Sequence, residues 1–206
     1  MKRFIFTLIA LVLILLAGSY LHLTNGVFDM SVMDILKTIF RIDPNEKFDL
    51  VIFDFRLPRI VIAALVGVGL AVAGVVLQGI TRNGLADPGI LGINAGAGSA
   101  IVIFMFFFQV RVVSADISSW ASIMIMPLFG FVGGVLAAAL IFLFAYRYGR
   151  LDMQRLILTG LAINSGFGAL SMYISLKMNA QDYESAALWM SGSIYNANWI
   201  FIAAML

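Results

Sequence analysis

The chain has 206 residues, of which 62% are hydrophobic and only 12% are charged, whereas about a quarter of the residues of a soluble domain are charged. We therefore expect an integral membrane protein. The net charge of +2 gives no case for a nucleic-acid partner, which needs a clustered basic face. The absence of cysteine and the single histidine exclude disulfides and thiolate metal sites in this chain and leave too few ligands for a histidine site, so we expect no bound metal.

Runs of about 20 apolar residues, the length that crosses the hydrocarbon core as a helix, predict five complete membrane spans and the start of a sixth. The predicted spans are 4–23, 60–80, 89–108, 120–146 and 156–176, and the sixth starts at 199. The final run, "WIFIAAML", would rise only about 12 Å of a ~30 Å core. We expect an all-α, polytopic transmembrane helical bundle, one domain over 1–206, truncated after the start of the sixth span.

The basic residues predict a cytoplasmic N-terminus, because short cytoplasmic loops are enriched in lysine and arginine. In that orientation six basic residues lie inside and two lie in short outer loops: Lys2, Arg3, Arg82, Arg147, Arg150 and Arg155 against Arg111 and Lys177. The outer segment 24–59 holds five basic and six acidic residues and is long enough to be exported regardless of them. The inner segment "RYGRLDMQR", residues 147–155, is interpreted mainly as a topology determinant, with lipid headgroup contact as the alternative.

The first span could be a cleavable signal peptide or a retained helix. Lys2 and Arg3 precede the apolar run and "LAGSY" follows its core, as in a signal peptide. The apolar run is longer than a usual signal core, and cleavage would remove the anchor that sets the topology. We favour the retained helix.

The outer segment contains a candidate surface helix, "SVMDILKTIF", residues 31–40. Ser31 precedes Asp34 by three residues, the spacing of a capping box. The apolar residues fall on one face. We expect a short helix on the outer membrane surface, with an irregular loop as the alternative.

The second span opens with "FDFRLPRIVIA", residues 53–63, in which Arg56 and Arg59 flank Leu57 and Pro58. Pro58 is compatible with the first turn of a helix, where its missing N–H would be unbonded anyway. Small residues and one glutamine then recur along one face, a pattern that lets helices pack closely in lipid. These predicted packing residues are Ala63, Gly67, Ala71, Gly74 and Gln78.

A tight inner turn follows in "RNGLADPG", residues 82–89, with Asn83–Gly84 and Asp87–Pro88 as turn pairs. The next residues, "GILGINAGAG", read as a glycine-rich helix start. The run is only a weak match to a dinucleotide-binding loop, because the glycines stand in an apolar span rather than in a strand–helix unit.

Taken in order, these motifs resemble the FecCD-type permeases of ABC importers for iron-siderophores, haem and cobalamin. That family has "RLPR" at a helix entrance, then G-x-x-L-x-x-x-G-x-x-x-Q, then N-P-L-A-x-P-x-x-L-G-x-x-x-G-A. The matching residues here are Arg56–Arg59, Gly67, Leu70, Gly74, Gln78, Asn83, Leu85, Ala86, Pro88, Leu91, Gly92, Gly96 and Ala97. Gly84 departs from the usual proline. The resemblance continues through "RLILTGLAIN" and "LWMSGS" and covers most of the chain.

The resemblance implies the fold of an ABC importer type II permease in a bacterial cell membrane. It implies a second permease subunit in a homo- or heterodimer, a cytoplasmic ATPase pair that uses ATP, and an extracytoplasmic substrate-binding protein, besides the lipid bilayer. Such permeases have more helices than 206 residues can supply at ~20 residues per span, so the ATPase contact segment is expected to be missing. The resemblance favours iron-siderophore as substrate, with haem or cobalamin as alternatives, and no cofactor bound by this chain.

The resemblance also implies that Arg56 and Arg59 dock surface carboxylates of the binding protein. Guanidinium pairs well with carboxylate in a bidentate geometry, and an i, i+3 spacing places two side chains near each other on a helix. The alternative is that the arginines anchor the helix at the headgroups or pair with Asp49 and Asp54.

The fifth predicted span carries a stripe of small and polar residues on one face, which in lipid should face protein or water. The stripe is Gly160, Asn164, Gly168, Ser171 and Ser175. In the family this helix borders the central cavity, so the resemblance implies a translocation pathway with weak, neutral contacts. Helix packing through hydroxyl bonds to backbone carbonyls is the equal alternative.

Other functional classes have less support. The chain has no G-x-x-x-x-G-K-[ST] loop for ATP, and its one histidine supplies no convincing triad, so we expect no enzyme activity. An ion-coupled secondary transporter usually buries an ionisable residue in a span, whereas the eleven acidic residues here fall in loops or at span boundaries. A non-transporting membrane scaffold would not require the extended motif.

Overall fold

In the computed structural model, residues 2–26, 28–42, 45–114, 119–195 and 197–205 are described, with side-chain contacts for all of these except 109–114 and 119–123. The predicted outer-loop residue Arg111 therefore lies outside the described side chains. The chain divides into two compact units. One comprises the chain up to Leu65 together with the stretch from Ile194 onward, and the other is Val66–Ser193.

The first unit contains helix α1 (Lys2–Thr24), helix α2 (Val32–Ile39), a single turn α3 (Glu46–Asp49), a π-helix (Leu50–Arg56), the start of helix α4 (Leu57–Thr81) and helix α9 (Trp199–Met205). α1 has no buried residue, as expected of an apolar helix whose side chains contact lipid in a membrane. Met30, Ile35, Val51 and Ile52 form a small core.

Helix α2 confirms the predicted capping box. Ser31 Oγ accepts a bond from the Asp34 backbone N–H, and the Asp34 carboxylate accepts bonds from the Ser31 hydroxyl (2.6 Å) and backbone N–H (3.1 Å). The bond from the Ser31 hydroxyl, and to a lesser degree the bond from its backbone N–H, lowers the pKa of Asp34 below its ordinary value, because both stabilise the charged carboxylate. The cap starts the helix at the position that the sequence predicts.

The second span begins earlier than predicted. Instead of starting at the Pro58 turn, the helical path runs without a break from Glu46 to Thr81. The π-helix ends two residues before Pro58, and the Leu57 N–H donates to Ile52 O, five residues back. Pro58 has no N–H to donate, and the helical path continues through it from the π-helix into α4.

The second unit holds the rest of α4, a 3₁₀ turn (Pro88–Leu91), helix α5 (Ile93–Ser114), helix α6 (Ser119–Ala145), a hairpin of strands β1 (Tyr146–Arg147) and β2 (Arg150–Leu151), helix α7 (Met153–Ser175) and helix α8 (Ala180–Met190). α5 packs against α6, α7 and α8. One core contains Leu77, Ile141, Ala145 and Leu156, and a second contains Val102, Phe104, Met105 and Ala186.

Four helices of the described residues are long and apolar enough to cross a membrane: Lys2–Thr24, Glu46–Thr81, Met124–Ala145 and Met153–Ser175. The predicted span 89–108 corresponds to helix α5, which is apolar over Ile93–Phe108, the part with described side chains. It starts later than predicted because Gly92 takes a left-handed conformation (φ 78°) between the 3₁₀ turn and α5. The predicted start of a sixth helix at Trp199 is confirmed.

Candidate functional site: the arginine pair and the small-residue faces

The side chain of Arg56 is turned into the first unit. It is 6% exposed and donates through Nη1 to Leu23 O and through Nη2 to Phe28 O, the latter at 2.6 Å. Leu23 lies in the last turn of α1, where backbone carbonyls have no partner within the helix and carry partial negative charge. Arg56 therefore ties the end of α1 and the segment after it to the start of the second span.

Gly26 makes room for this guanidinium. A Cβ at that position would lie 3.1 Å from Arg56 Nη2, and the glycine has a positive φ of 152°. Both observations favour glycine there, since a side chain would crowd the arginine and strain the backbone. We call Arg56, Leu23, Gly26 and Phe28 the arginine clamp.

Arg59 has a different surrounding. Its Nε donates to Tyr195 O at 3.1 Å, and its guanidinium carbon lies 4.6 Å from the centre of the Tyr195 ring. Arg59 is half-buried, and Tyr195 is exposed. The two arginines thus contact separate segments of the first unit, the region around the end of α1 for Arg56 and Tyr195 for Arg59.

Neither arginine pairs with the carboxylates considered as alternatives. Asp49 binds Arg41, with 2.8 Å between Nη1 and Oδ2, and Asp54 is exposed. Among the described residues, no carboxylate lies within 4 Å of either guanidinium. Docking of a binding protein stays a prediction for both residues, and Arg59 is the more accessible of the two.

The predicted packing face of α4 is open in this chain. Ala63, Gly67 and Ala71 are exposed, while Gly74 and Gln78 are half-buried. A Cβ at Gly67 or Gly74 would meet no described atom within 4 Å. Its role in packing therefore stays a prediction.

The inner turn is built by side-chain caps. Asn83 Oδ1 accepts from the Leu85 N–H at 3.0 Å, and Asp87 Oδ1 accepts from the Gly89 N–H at 2.8 Å. Asp87 is the N-cap of the 3₁₀ turn, and Pro88 is its first residue. Both turn pairs thus have a local function in ending α4 and directing the chain into α5.

The small-residue stripe of α7 is used at most positions for contact with α5 and the 3₁₀ turn. A Cβ at Gly160 would lie 3.1 Å from the Cα and O of Leu91, and one at Gly92 would lie 2.8 Å from the Asn164 backbone N. Ser171 and Ser175 are buried. Gly168 is exposed, and a Cβ there would meet no described atom within 4 Å.

A hydroxyl pair lies at the centre of this contact. The Oγ atoms of Ser99 and Ser171 are 2.6 Å apart, and both approach Phe167 O, at 2.8 and 2.9 Å. The Ser175 hydroxyl has no hydrogen-bond partner among the described residues. Through these contacts α7 packs against α5. That the stripe also lines a translocation pathway stays a prediction.

A close crossing of α5 and α6 was not predicted. Cβ atoms at Gly96 of α5 and Gly133 of α6 would each lie 2.4 Å from an alanine Cβ on the other helix, Ala137 and Ala100 respectively. The two backbones therefore meet at these glycines. The run "GFVGGVLAAA" in α6 carried the signal, since its glycines and alanines recur at helical spacing.

Tyr195, Gly26 and Ser99 are further residues that the sequence analysis missed. Each acts through a neighbour 30 or more positions away: Arg59, Arg56 and Ser171. Tyr195 and Gly26 stand outside any regular periodic pattern. Only the fold shows what they contact.

The bundle of apolar helices and the motif positions together define a multi-pass membrane protein of the transport-permease class. The family model of the FecCD transport family matches residues 10–206, and the chain belongs to that family.

Curated relatives agree with this family. The chain is 54% identical over 198 residues to the iron-uptake system permease protein FeuC of Bacillus subtilis (strain 168), covering 96% of this chain and 57% of the relative. It is 42% identical over 194 residues to the iron(3+)-hydroxamate import system permease protein FhuG of the same organism, and the match covers 94% of this chain and 56% of the relative. The chain thus spans little more than half the length of these relatives.

A solved structure has the same architecture over the matched part. It is described as a metal-chelate type ABC transporter in an inward-facing conformation, and it matches with a TM-score of 0.68 at 30% identity. The match covers 94% of this chain and 55% of that chain. The predicted all-α permease fold is thereby confirmed.

Proposed function

We propose that the protein is the membrane-spanning permease subunit of a binding-protein-dependent ABC importer for iron-siderophore complexes. The observation that carries the proposal is the match to the FecCD transport family over residues 10–206, together with relatives whose names specify iron uptake and iron(3+)-hydroxamate import. Haem or cobalamin is the alternative cargo. The cargo is a chelate whose own donors hold the metal, so its passage requires no metal ligands from this chain.

The proposed assembly contains a second permease subunit, an ATPase pair and an extracytoplasmic binding protein. The ATPase pair uses ATP. This chain forms part of the membrane passage, is not an enzyme and binds no cofactor of its own. The N-terminus is cytoplasmic in this proposal, so the start of α4 faces outward. The excess of basic residues on the opposite ends of the spans supports that orientation.

Within this assembly Arg59 is the proposed docking residue for a carboxylate of the binding protein. Its guanidinium is half-buried and lies over an exposed tyrosine ring, and it has no carboxylate partner within 4 Å among the described residues. A partner carboxylate can therefore approach it. Arg56 belongs to the same motif, but its buried guanidinium would have to leave the arginine clamp to reach a partner.

The test uses the full-length permease with its ATPase and the binding protein encoded with them, and a radiolabelled ferric hydroxamate as cargo. Arg59→Glu should weaken association of the binding protein roughly tenfold or more, because a charge-assisted pair worth about 1.4 kcal/mol or more is replaced by repulsion. ATP-dependent uptake should fall with it.

Lys47→Glu is the matched control, since it makes the same charge change at an exposed residue of the same outer segment. It should leave association near the parent value. Full docking by the Arg59→Glu protein would remove the site assignment. Uptake that runs without the ATPase on an ion gradient would instead establish the secondary-transporter alternative.

A further inference from the structure

The hairpin between α6 and α7 is a compact, positively charged structure. Tyr146 pairs with Leu151 and Arg147 with Arg150 in an antiparallel register. Tyr148 and Gly149 form the two-residue turn, and both have positive φ values, 51° and 76°. Such a turn has the twist that closes a tight hairpin.

The register places two like charges directly opposite each other, an arrangement that destabilises a strand pair in isolation. The hairpin residues 146–151 include no acidic side chain. Asp152, the next residue, caps α7 by accepting from the N–H groups of Gln154 and Arg155 and pairs with the Arg155 side chain at 3.7 Å.

Neither hairpin arginine has a carboxylate within 4 Å in the described part of the chain. Arg147 donates to the Tyr148 hydroxyl at 3.1 Å and lies over the same ring. Both arginines are exposed. The register thus places two exposed arginines opposite each other, and no described carboxylate within 4 Å offsets their charge.

The hairpin joins the ends of two helices that are long and apolar enough to cross a membrane. It follows Ala145, the last residue of α6, and ends two residues before α7 begins at Met153, and both helices qualify as membrane spans. Tyr148 is 85% exposed, and Tyr146 stacks on Phe142 with ring centres 5.3 Å apart. Exposed tyrosines at the ends of spans are typical of the headgroup layer.

We propose that this hairpin is a binding site for the phosphate of an anionic phospholipid headgroup, held between Arg147 and Arg150 and bordered by Tyr148. Guanidinium groups bind phosphate in a bidentate manner, and one anion between them offsets their mutual repulsion. A lipid is the occupant because the site lies at the end of two spans, where phosphates are already present at high local concentration.

The test uses the full-length permease in nanodiscs of phosphatidylcholine, with or without phosphatidylglycerol. Phosphatidylglycerol should raise the melting temperature of the parent protein, and native mass spectrometry should detect retained phosphatidylglycerol. In the double variant Arg147→Gln, Arg150→Gln, most of the temperature rise and the retained lipid should be lost. Arg155→Gln is the matched control, because Arg155 already has Asp152 as a partner, and it should behave like the parent.

A double variant with the full temperature rise and the full retained lipid would overturn the proposal. So would unchanged lipid binding with reduced binding of the ATPase subunits, which would identify protein carboxylates as the partner. If the double variant fails to insert, Arg150→Gln alone should lose a measurable part of the phosphatidylglycerol effect, and an unchanged effect would overturn the proposal.

Discussion

At the scale of single residues, Arg56 and Arg59 have different surroundings, although both belong to the motif "RLPR". Arg56 is buried against two backbone carbonyls, one of them in the last turn of α1, where the helix dipole favours a positive charge. Arg59 keeps a partly exposed guanidinium beside Tyr195. A charge reversal at Arg56 would therefore disturb the fold as well as any docking, which makes Arg59 the cleaner site for a docking experiment.

The arginine clamp predicts that Arg56→Lys destabilises the protein although it keeps the positive charge. A single ammonium on a flexible stem does not reproduce a planar fork that reaches two separate carbonyls. Hydrogen bonds from a charged donor contribute about 1.5–3 kcal/mol each, so a loss of that order is expected. The measurement is the melting temperature of the full-length permease in nanodiscs, without any binding protein.

Arg59→Lys is the control for that measurement, because Arg59 makes one hydrogen bond at a half-buried position. Its melting temperature should stay close to the parent value. Equal melting temperatures for Arg56→Lys and the parent protein would show that the clamp does not stabilise the fold.

The sequence predicted that this arginine pair was important but not where each side chain lies. The motif "RLPR" and its place before an apolar run are visible in the sequence. The contact with Phe28 O depends on the chain path between α1 and α2, and the contact with Tyr195 joins residues 136 positions apart. Neither has a periodic signature.

At the scale of helices, most spans could be predicted from apolar length alone, and the differences have local causes. The π-helix continued the second span back to Glu46, and the left-handed Gly92 delayed α5 to Ile93. Packing of the small-residue face of α4 stays a prediction, whereas a close contact that was not predicted lies between α5 and α6. Small residues predict that a close approach is possible, not which helix makes it.

The α5–α6 crossing predicts that Gly96→Ala is destabilising. The added methyl group would lie 2.4 Å from the Ala137 Cβ and 2.8 Å from Gly133 O, so the helices must separate. Overpacking of this kind costs about 1–3 kcal/mol. Chemical denaturation of the full-length permease in mixed micelles gives the free energy of unfolding directly.

Gly98→Ala is the matched control in the same helix, because no described atom lies within 4 Å of its added methyl group. Since alanine favours a helix over glycine, that variant should be neutral or slightly more stable. Equal free energies of unfolding for the two variants would show that α5 and α6 do not pack closely at Gly96.

At the scale of the whole molecule, the family and the helical class could be predicted from the sequence, because they depend on long apolar runs and on an ordered set of motifs. The residues that line the translocation pathway could not be predicted in the same way. The stripe on α7 has a clear helical period, yet Gly160 contacts the 3₁₀ turn, Ser171 contacts α5, and Ser175 is buried in this chain. A pathway is a property of the complete assembly, and the chain spans just over half the length of its relatives.

At this scale the proposed orientation places the entrance of the second span outside the cell and the α6–α7 hairpin in the cytoplasm. The chain has no cysteine, so single cysteines can be placed in a full-length permease whose remaining part is made cysteine-free. Lys47→Cys marks the entrance and Tyr148→Cys marks the hairpin, both at exposed positions.

The direct measurement is labelling of intact cells with a membrane-impermeant maleimide. We expect the Lys47→Cys protein to be labelled in intact cells and the Tyr148→Cys protein to be labelled only after the cells are permeabilised. The opposite result, with the hairpin labelled from outside and the entrance protected, would contradict the importer orientation and leave Arg59 unable to meet an extracytoplasmic binding protein.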